Sequence, residues 1–222
     1  AIVTGLAEGL SAVLSRWRKP FAVHDPGKIV CDLAITLALG GDCLADAALL
    51  RSEPSVFGRV ASDPTVSRLI SLLASDAPAA LAAINQARAA ARARAWRLAG
   101  KHAPSHQVDV AHPLVIDVDA TLVTAHSDKE NARATFKKGY GFHPLCVFVD
   151  HGPEGTGEPL AILLRPGNAG SNTAADHITV LQDAFAQLPG VPDHRPGKRV
   201  LVRVDGAGHS HRLLDWLTGQ RV

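Results

Sequence analysis

Residues Leu114 to Thr124 read LVIDVDATLVT, and this stretch decides how the rest of the chain is interpreted. It is an apolar, β-branched run typical of a buried strand, yet it contains Asp117 and Asp119. Alternate residues of a strand project from the same face, so the two carboxylates share one face. Because an unpaired buried carboxylate is energetically costly, such acids are expected beside a cation, often a metal ion.

Further strands and helices are predicted after this stretch. Pro144 to Asp150 and Pro159 to Arg165 are apolar runs joined by a Gly/Pro-rich turn, which favours an antiparallel pair. A helix is predicted between the capping cluster Ser171-Asn172-Thr173 and the breaker Pro189-Gly190. The fourth strand, Arg199 to Val204, delivers Asp205 at its carboxyl end, and another helix begins near His209.

Three antiparallel strands, a helix, a strand and a further helix make the order of a ribonuclease-H-like fold. In that fold strands one and four lie side by side, so Asp119 and Asp205 are expected to be neighbours in space. Two facing carboxylates offer Mg²⁺ hard oxygen ligands and leave positions open for water and phosphate. The predicted class is therefore α/β, with a metal site suited to in-line phosphoryl transfer.

The amino-terminal part of the chain has a different composition. It is rich in Ala, Leu and Arg at helical spacing, whereas the later part alternates β-branched runs with turns. The change falls between Lys101 and Pro113, where prolines interrupt any helix. We therefore predict a helical DNA-binding region at residues 1–103 and an incomplete ribonuclease-H-like core at residues 104–222.

The helical region contains a candidate DNA-reading motif. A short helix, a turn around Pro54 and Gly58, and a helix beginning near Ser62 fit a helix-turn-helix reader. Three residues lie at the start of its candidate recognition helix, namely Thr65, Ser67 and Arg68. The alternative is that these helices simply pack around a core of their own.

A basic surface is predicted on a long helix from about Pro78 to Gly100. Between Asp76 and Asp109 there is no acidic residue. The basic residues without a local acidic partner are Arg88, Arg92, Arg94, Arg97 and Lys101. Of these, Arg94, Arg97 and Lys101 are predicted to contact DNA phosphates, although a charge run is usually a solvated face. The apolar stripe expected to be buried comprises Leu81, Ile84, Ala91, Ala95 and Leu98.

Arg165 is the further candidate for a DNA contact, because it ends the third predicted strand, directly before a Pro-Gly turn. A turn of that kind also needs no functional explanation, since Pro and Gly favour turns on conformational grounds alone. Both interpretations of Arg165 are therefore compatible with the sequence.

Bulk properties exclude several classes of protein. The net charge of +2 is nearly balanced, so nucleic-acid binding would depend on local clusters of basic residues. Three scattered cysteines fit neither a disulfide framework nor a structural zinc site, and no export signal, membrane span or Gly-x-x-x-x-Gly-Lys-Ser/Thr loop is present. A cytoplasmic protein is predicted, with no membrane partner.

Several ordered motifs carry a resemblance to a known family. The segments VIDVDATLV, GYGFHPL, LLRPGN and VRVDGAG resemble the catalytic core of bacterial insertion-sequence transposases with an Asp-Asp-Glu triad, nearest to the thirteen-eighty group. In the helical region, GGDCLADAALLR and ASDPTVSR are similar to that group's amino-terminal part. The resemblance therefore covers most of the chain.

This resemblance implies an activity, a metal and a substrate. Asp119 would be the first catalytic carboxylate and metal ligand and Asp205 the second, with Asp117 as the rival to Asp119. Mg²⁺ or Mn²⁺ would support cleavage and strand transfer of double-stranded DNA at the terminal inverted repeats of the element. The full-length enzyme is expected to be a homodimer that acts at the bacterial nucleoid.

The family's third carboxylate, a Glu on a later helix, has no counterpart in the sequence. Glu130, Glu154 and Glu158 all precede the second aspartate. We therefore expect the chain to be a carboxyl-terminally truncated fragment, inactive by itself. Two alternatives are a catalytically inactive DNA-binding fragment that inhibits transposition and a metal-dependent nuclease on the same fold.

Overall fold

The computed structural model describes residues 2–152, 155–171, 173–191, 195–206 and 208–222. It divides into two compact units, Ala1–Ala95 and Trp96–Val222. Asn172 of the predicted capping cluster and Glu154 lie outside the described residues.

The first unit is helical, as its composition predicts. Its α-helices are α1 (Leu6–Val13), α2 (Pro26–Ala38), α3 (Ala48–Arg51), α4 (Pro54–Phe57), α5 (Asp63–Ala74) and the start of α6 (Ala77–Ala99). Single 3-10 turns occur at Ser15–Trp17 and Leu44–Ala47, and a third follows α6 at Gly100–His102. Pro26 lies in the first turn of α2, and Asp25 caps that helix by accepting the Lys28 amide.

Close contact between α1 and α2 depends on Gly27. A Cβ added at this position would lie 2.3 Å from the Ser11 amide nitrogen and 2.5 Å from the Leu10 carbonyl carbon. The glycine therefore lets the two helix backbones approach each other. Leu10, Leu14 and Ala87 belong to the buried cluster beside this contact.

The buried side of α6 differs from the predicted stripe. Leu81 and Leu98 are 59% and 62% exposed, whereas Ala80 and Ala87 are buried. Ala91 is buried, as predicted. The difference has a simple cause: alanines on this helix allow close packing, and periodicity in an Ala-rich sequence identifies the buried face poorly.

The second unit is built on a four-stranded sheet, so the α/β class is confirmed. Its strands are β1 (Leu114–Ala120), β5 (Leu145–Val149), β6 (Glu158–Leu163) and β7 (Val200–Val204), in the order β6-β5-β1-β7. Antiparallel pairing joins β1 to β5 and β5 to β6, while β1 and β7 are parallel. The predicted pairing of the first and fourth long strands is confirmed.

A small second sheet was not predicted. It contains β2 (Val123–Thr124), β3 (Arg133–Ala134) and β4 (Tyr140–Phe142), in the order β2-β4-β3. The prediction of one continuous strand over Leu114 to Thr124 is therefore wrong, because Val123 and Thr124 pair with β4 instead of continuing β1. Strands of two residues are too short to show an alternating pattern.

Two helices complete the second unit. Helix α7 (Ala174–Ala186) packs on β5 and β6 and contacts α8 (His211–Gln220). The Phe185 ring of α7 stacks on Trp216 of α8, with ring centroids 5.9 Å apart. A 3-10 turn at Gly197–Arg199 leads into β7, so the fourth strand begins one residue later than predicted.

Candidate active site

The two predicted catalytic aspartates lie at neighbouring strand ends, Asp119 as the penultimate residue of β1 and Asp205 directly after β7. Val118 of β1 pairs with Val204 of β7, and Asp119 and Asp205 come directly after these residues. Because the two strands are parallel, both carboxylates are delivered to the same edge of the sheet. Asp119 and Asp205 line one cavity of about 430 Å³.

Backbone amides hold one oxygen of each carboxylate. Asp119 Oδ1 accepts the Ala120 N–H at 2.8 Å, and Asp205 Oδ1 accepts the Gly208 N–H at 2.8 Å. Within the described part of the chain, neither carboxylate forms an ion pair. Each aspartate is thus oriented by the backbone without being neutralised.

Asp117 has different surroundings although it lies in the same strand. Arg203, its partner residue on β7, donates to both of its oxygens at 2.6 and 2.7 Å, and also to Asp150 at 2.8 Å. The hydrogen bond to Asp117 and the charges of both acids raise the pKa of Arg203 above its ordinary value. Asp117 is therefore compensated by a permanent cation, and it does not line the cavity.

Two buried histidines, His143 and His177, also line the cavity, and neither was predicted as a site residue. His177 on α7 is 1% exposed, with Nδ1 3.0 Å from the Thr173 carbonyl oxygen, while Nδ1 of His143 lies 3.1 Å from the Ala169 carbonyl. If Nδ1 carries the proton in each hydrogen bond, Nε2 is left as an acceptor. No spacing rule singles these residues out, although His143 lies in the GYGFHPL motif.

Gly208 separates His177 from Asp205. A Cβ at this position would lie 3.0 Å from His177 Nε2 and 3.1 Å from Asp205 Oδ1. The space beside the carboxylate is thus too small for a larger residue unless its neighbours move. This close approach explains the second glycine of the VRVDGAG motif.

Cys146 lies opposite Asp119 on the neighbouring strand β5. Burial, assisted by the negative charge of Asp119, raises the pKa of the Cys146 thiol. In the metal-free protein the Cys146 thiol therefore favours its protonated form.

Arg165 is buried, which corrects its prediction as a DNA contact. Its side chain is 3% exposed and donates to the carbonyl oxygens of His143 and Gly170, both at 3.0 Å, and to Asp176 at 3.2 Å. These bonds fix the segment that carries His143 and Gly170, two residues of the cavity wall. A guanidinium enclosed in this way supports the cavity wall, and its Nη2 atom is buried without a hydrogen-bond partner among the described residues.

The other predicted DNA contacts are accessible to different degrees. Ser67, Arg68, Arg94, Arg97 and Lys101 are exposed, and Thr65 is half-buried. Two of the five basic residues from Arg88 to Lys101 are engaged or buried, because Arg88 donates to Asn85 at 2.9 Å and Arg92 is 8% exposed. Arg94, Arg97 and Lys101, which are the three predicted phosphate contacts, are exposed.

Another acidic cluster occurs in the first unit but has a structural explanation. Ligand atoms of Asp42, Cys43 and Asp46 lie within 4.8 Å of one another. Asp46 Oδ2 accepts the amides of Asp42 and Cys43, both at 2.9 Å, and these bonds lower the pKa of Asp46. The arrangement is that of a capping box at the following 3-10 turn.

Comparison with known families identifies the family of the chain. Residues 2–222 match the family model described as transposase DDE domain group 1, so the chain belongs to this family of DNA transposases. No curated protein and no solved structure matches the chain.

The helices were also compared with the length and composition of membrane spans. No single helix in the described ranges is long and apolar enough to cross a membrane, although the bent pair Asp63–Ala74 and Ala77–His102 passes the test together.

Proposed function

We propose that the second unit is a ribonuclease-H-like catalytic core of an insertion-sequence transposase of the thirteen-eighty group. In this proposal Asp119 and Asp205 hold Mg²⁺ or Mn²⁺. The observation that carries the proposal is that these two carboxylates share one cavity without a cationic partner among the described residues. The order β6-β5-β1-β7, with β1 parallel to β7, supports the assignment of the fold.

The donor set fits a hard divalent cation. Asp119 and Asp205 line the cavity, and each has one oxygen held by a backbone amide and a second oxygen for a ligand, the kind of donor that Mg²⁺ prefers. A bound ion would supply charge stabilisation for cleavage and strand transfer at a DNA phosphate. Ala120 and Gly208 amides would keep the two side chains oriented toward it.

Asp119 is preferred to Asp117 because of Arg203. Removing Arg203 from Asp117 to make room for a metal would break a bidentate ion pair, and Asp117 lies outside the cavity. Asp119 requires no such rearrangement. Glu130 and Glu158 do not line the cavity either, and Glu158 instead accepts the Trp96 indole N–H at 3.0 Å.

DNA would be the substrate, bound at the terminal inverted repeats of the element. The helical region is proposed to contribute Thr65, Ser67 and Arg68 at the start of α5 and the exposed cations Arg94, Arg97 and Lys101 of α6 and the turn that follows. A homodimeric assembly acting at the bacterial nucleoid completes the proposal.

Metal binding tests the aspartate assignment directly. Asp119→Asn and Asp205→Asn are each expected to weaken Mn²⁺ binding to this chain by at least about tenfold, because even loss of an outer-shell partner costs about 10- to 100-fold. Titration followed by Mn²⁺ electron paramagnetic resonance measures the affinity.

Asp117→Asn is the matched control, since it removes the same charge from the same strand. It is expected to leave Mn²⁺ affinity within about twofold, because Asp117 is engaged by Arg203. Weakened binding in Asp117→Asn together with unchanged binding in Asp119→Asn would transfer the ligand role to Asp117.

DNA binding tests the exposed cations of α6 and its end. A variant with Arg94, Arg97 and Lys101 all replaced by Ala is expected to bind duplex DNA more weakly and to lower the slope of log K against log salt by up to about 3. Fluorescence anisotropy at several salt concentrations gives both quantities. Replacement of the exposed Lys198, Arg199 and Arg212 changes the net charge equally and is the control. Equal slopes for the two variants would make the α6 cations a solvated face.

A further inference from the structure

The segment between the 3-10 turn Ser15–Trp17 and α2 forms a turn with an unusual residue at its tip. The Ala22 amide donates to the Lys19 carbonyl oxygen at 3.1 Å, and Phe21 has φ of 59°. Pro20 fixes its own φ near about −65°, so the turn is of type II. The position that Phe21 occupies in such a turn normally holds glycine or asparagine.

Phe21 is therefore energetically unfavourable at this position for two reasons. A bulky residue at positive φ is a backbone outlier, and its side chain is fully exposed, with a relative exposure of 103%. Neither packing nor turn propensity explains an aromatic residue here. Strained residues of this kind are concentrated at binding and catalytic sites.

The groove next to this turn is lined by apolar residues together with several basic ones. Lys19 and Ala22 line a groove of about 120 Å³ together with Arg18, His24 and Arg68, and no acidic residue lines it. Arg18 also donates to the Ala22 carbonyl oxygen at 3.0 Å and so braces the turn. Among the described residues Lys19 has no ion pair, and its charge is available to a ligand.

The groove also contains two residues of the predicted DNA-recognition helix. Thr65 and Arg68, at the start of α5, line its other wall, and Arg68 donates to the Thr65 hydroxyl at 3.2 Å. Two segments that are far apart in sequence thus contribute cations to one surface. Their charge is complementary to a polyanion with closely spaced phosphates.

We propose that the turn Lys19–Ala22 and the start of α5 form one DNA-contact surface, in which Lys19 and Arg68 contact phosphates and Phe21 stacks on or wedges against a base. This inference rests on the proposed function in taking DNA as the partner. An exposed aromatic side chain beside phosphate-binding cations is the arrangement with which proteins stack on bases or unstack a base step.

Phe21→Gly separates this role from a structural one. Glycine suits the positive φ, so the melting temperature is expected to stay equal to that of the wild type or to rise, whereas affinity for a short fluorescein-labelled DNA duplex falls about tenfold. Phe21→Tyr keeps the ring and is expected to retain the affinity. A structural role for the ring would instead lower the melting temperature of Phe21→Gly.

Two further variants define the surface. Lys19→Ala is expected to lower the salt slope of DNA binding by about 1. Val23→Ala, which truncates an exposed apolar residue just after the same turn, is expected to bind as the wild type does. If the wild-type chain binds duplex DNA and both Phe21→Gly and Lys19→Ala bind it equally well, this inference is overturned and the proposed function is left intact. A wild-type chain that binds no duplex DNA would overturn both.

Discussion

Arg165→Met is expected to destabilise the second unit by roughly 3 kcal/mol or more, although methionine fills a similar volume. The substitution leaves the carbonyl oxygens of His143 and Gly170 without their donor and Asp176 without its cation. An unsatisfied buried carbonyl such as that of His143 costs about 1–3 kcal/mol, whereas the carbonyl of the exposed Gly170 can bond to water, and breaking a buried ion pair costs about 3–5 kcal/mol. Asp176 is partly exposed, so the lower part of this range applies to the pair.

Differential scanning calorimetry would show this loss as a decrease in melting temperature of roughly 10 °C. Arg212→Met, at an exposed position of α8, is the matched control and is expected to change stability by less than about 0.5 kcal/mol. Equal melting temperatures for the two variants would contradict a supporting role for Arg165. Arg165→Met should also weaken Mn²⁺ binding, because the guanidinium holds His143 and Gly170, which form part of the cavity wall.

Gly27→Ala is expected to destabilise the first unit by roughly 3 kcal/mol. The new Cβ would lie 2.3 Å from the Ser11 amide nitrogen, and a backbone atom cannot move away as the end of a flexible side chain can. Helices α1 and α2 would have to separate, with loss of packing in the cluster around Leu10 and Leu14. Overpacking of this kind usually costs about 1–3 kcal/mol, and backbone contact places Gly27 at the upper end.

Gly9→Ala in α1 is the matched control. Its Cβ would meet the Ala87 Cβ at 3.5 Å, an ordinary contact, and alanine favours a helix over glycine by about 0.5–1 kcal/mol. Thermal unfolding followed by circular dichroism should therefore show Gly9→Ala at or above the wild type and Gly27→Ala well below it. A Gly27→Ala protein as stable as the wild type would show that α1 and α2 are not held in close contact.

The strand order of the second unit was predictable because its long strands are apolar runs that stand out clearly from the turns between them. The segments at β1, β5, β6 and β7 are mainly apolar runs bounded by clear turn residues, which is typical of the strands of a largely buried sheet. The placement of Asp119 and Asp205 near each other follows from that order alone. The small sheet was missed because its strands are too short for a pattern.

Arg165 and Phe21 show where sequence reasoning fails. An arginine before Pro-Gly is usually a surface residue, and only the fold reveals that its guanidinium is enclosed by three polar partners. The turn at Phe21 was missed because it lacks the glycine that normally marks such a turn. In both cases local preferences are overridden at a position that the fold or a ligand requires, as occurs at strained and functional sites.

The parallel pairing of β1 with β7 has a consequence for folding kinetics. Asp117 and Arg203, which face each other across these strands, are 86 residues apart, whereas β5 and β6 are joined by a short turn. Pairing two strands that are far apart in sequence closes a long loop. The chain entropy lost in closing the loop must be spent before native contacts form, so distant parallel strands pair slowly. A chain still on its folding pathway therefore keeps Asp119 and Asp205 apart, and the cavity that they share belongs to the finished sheet alone.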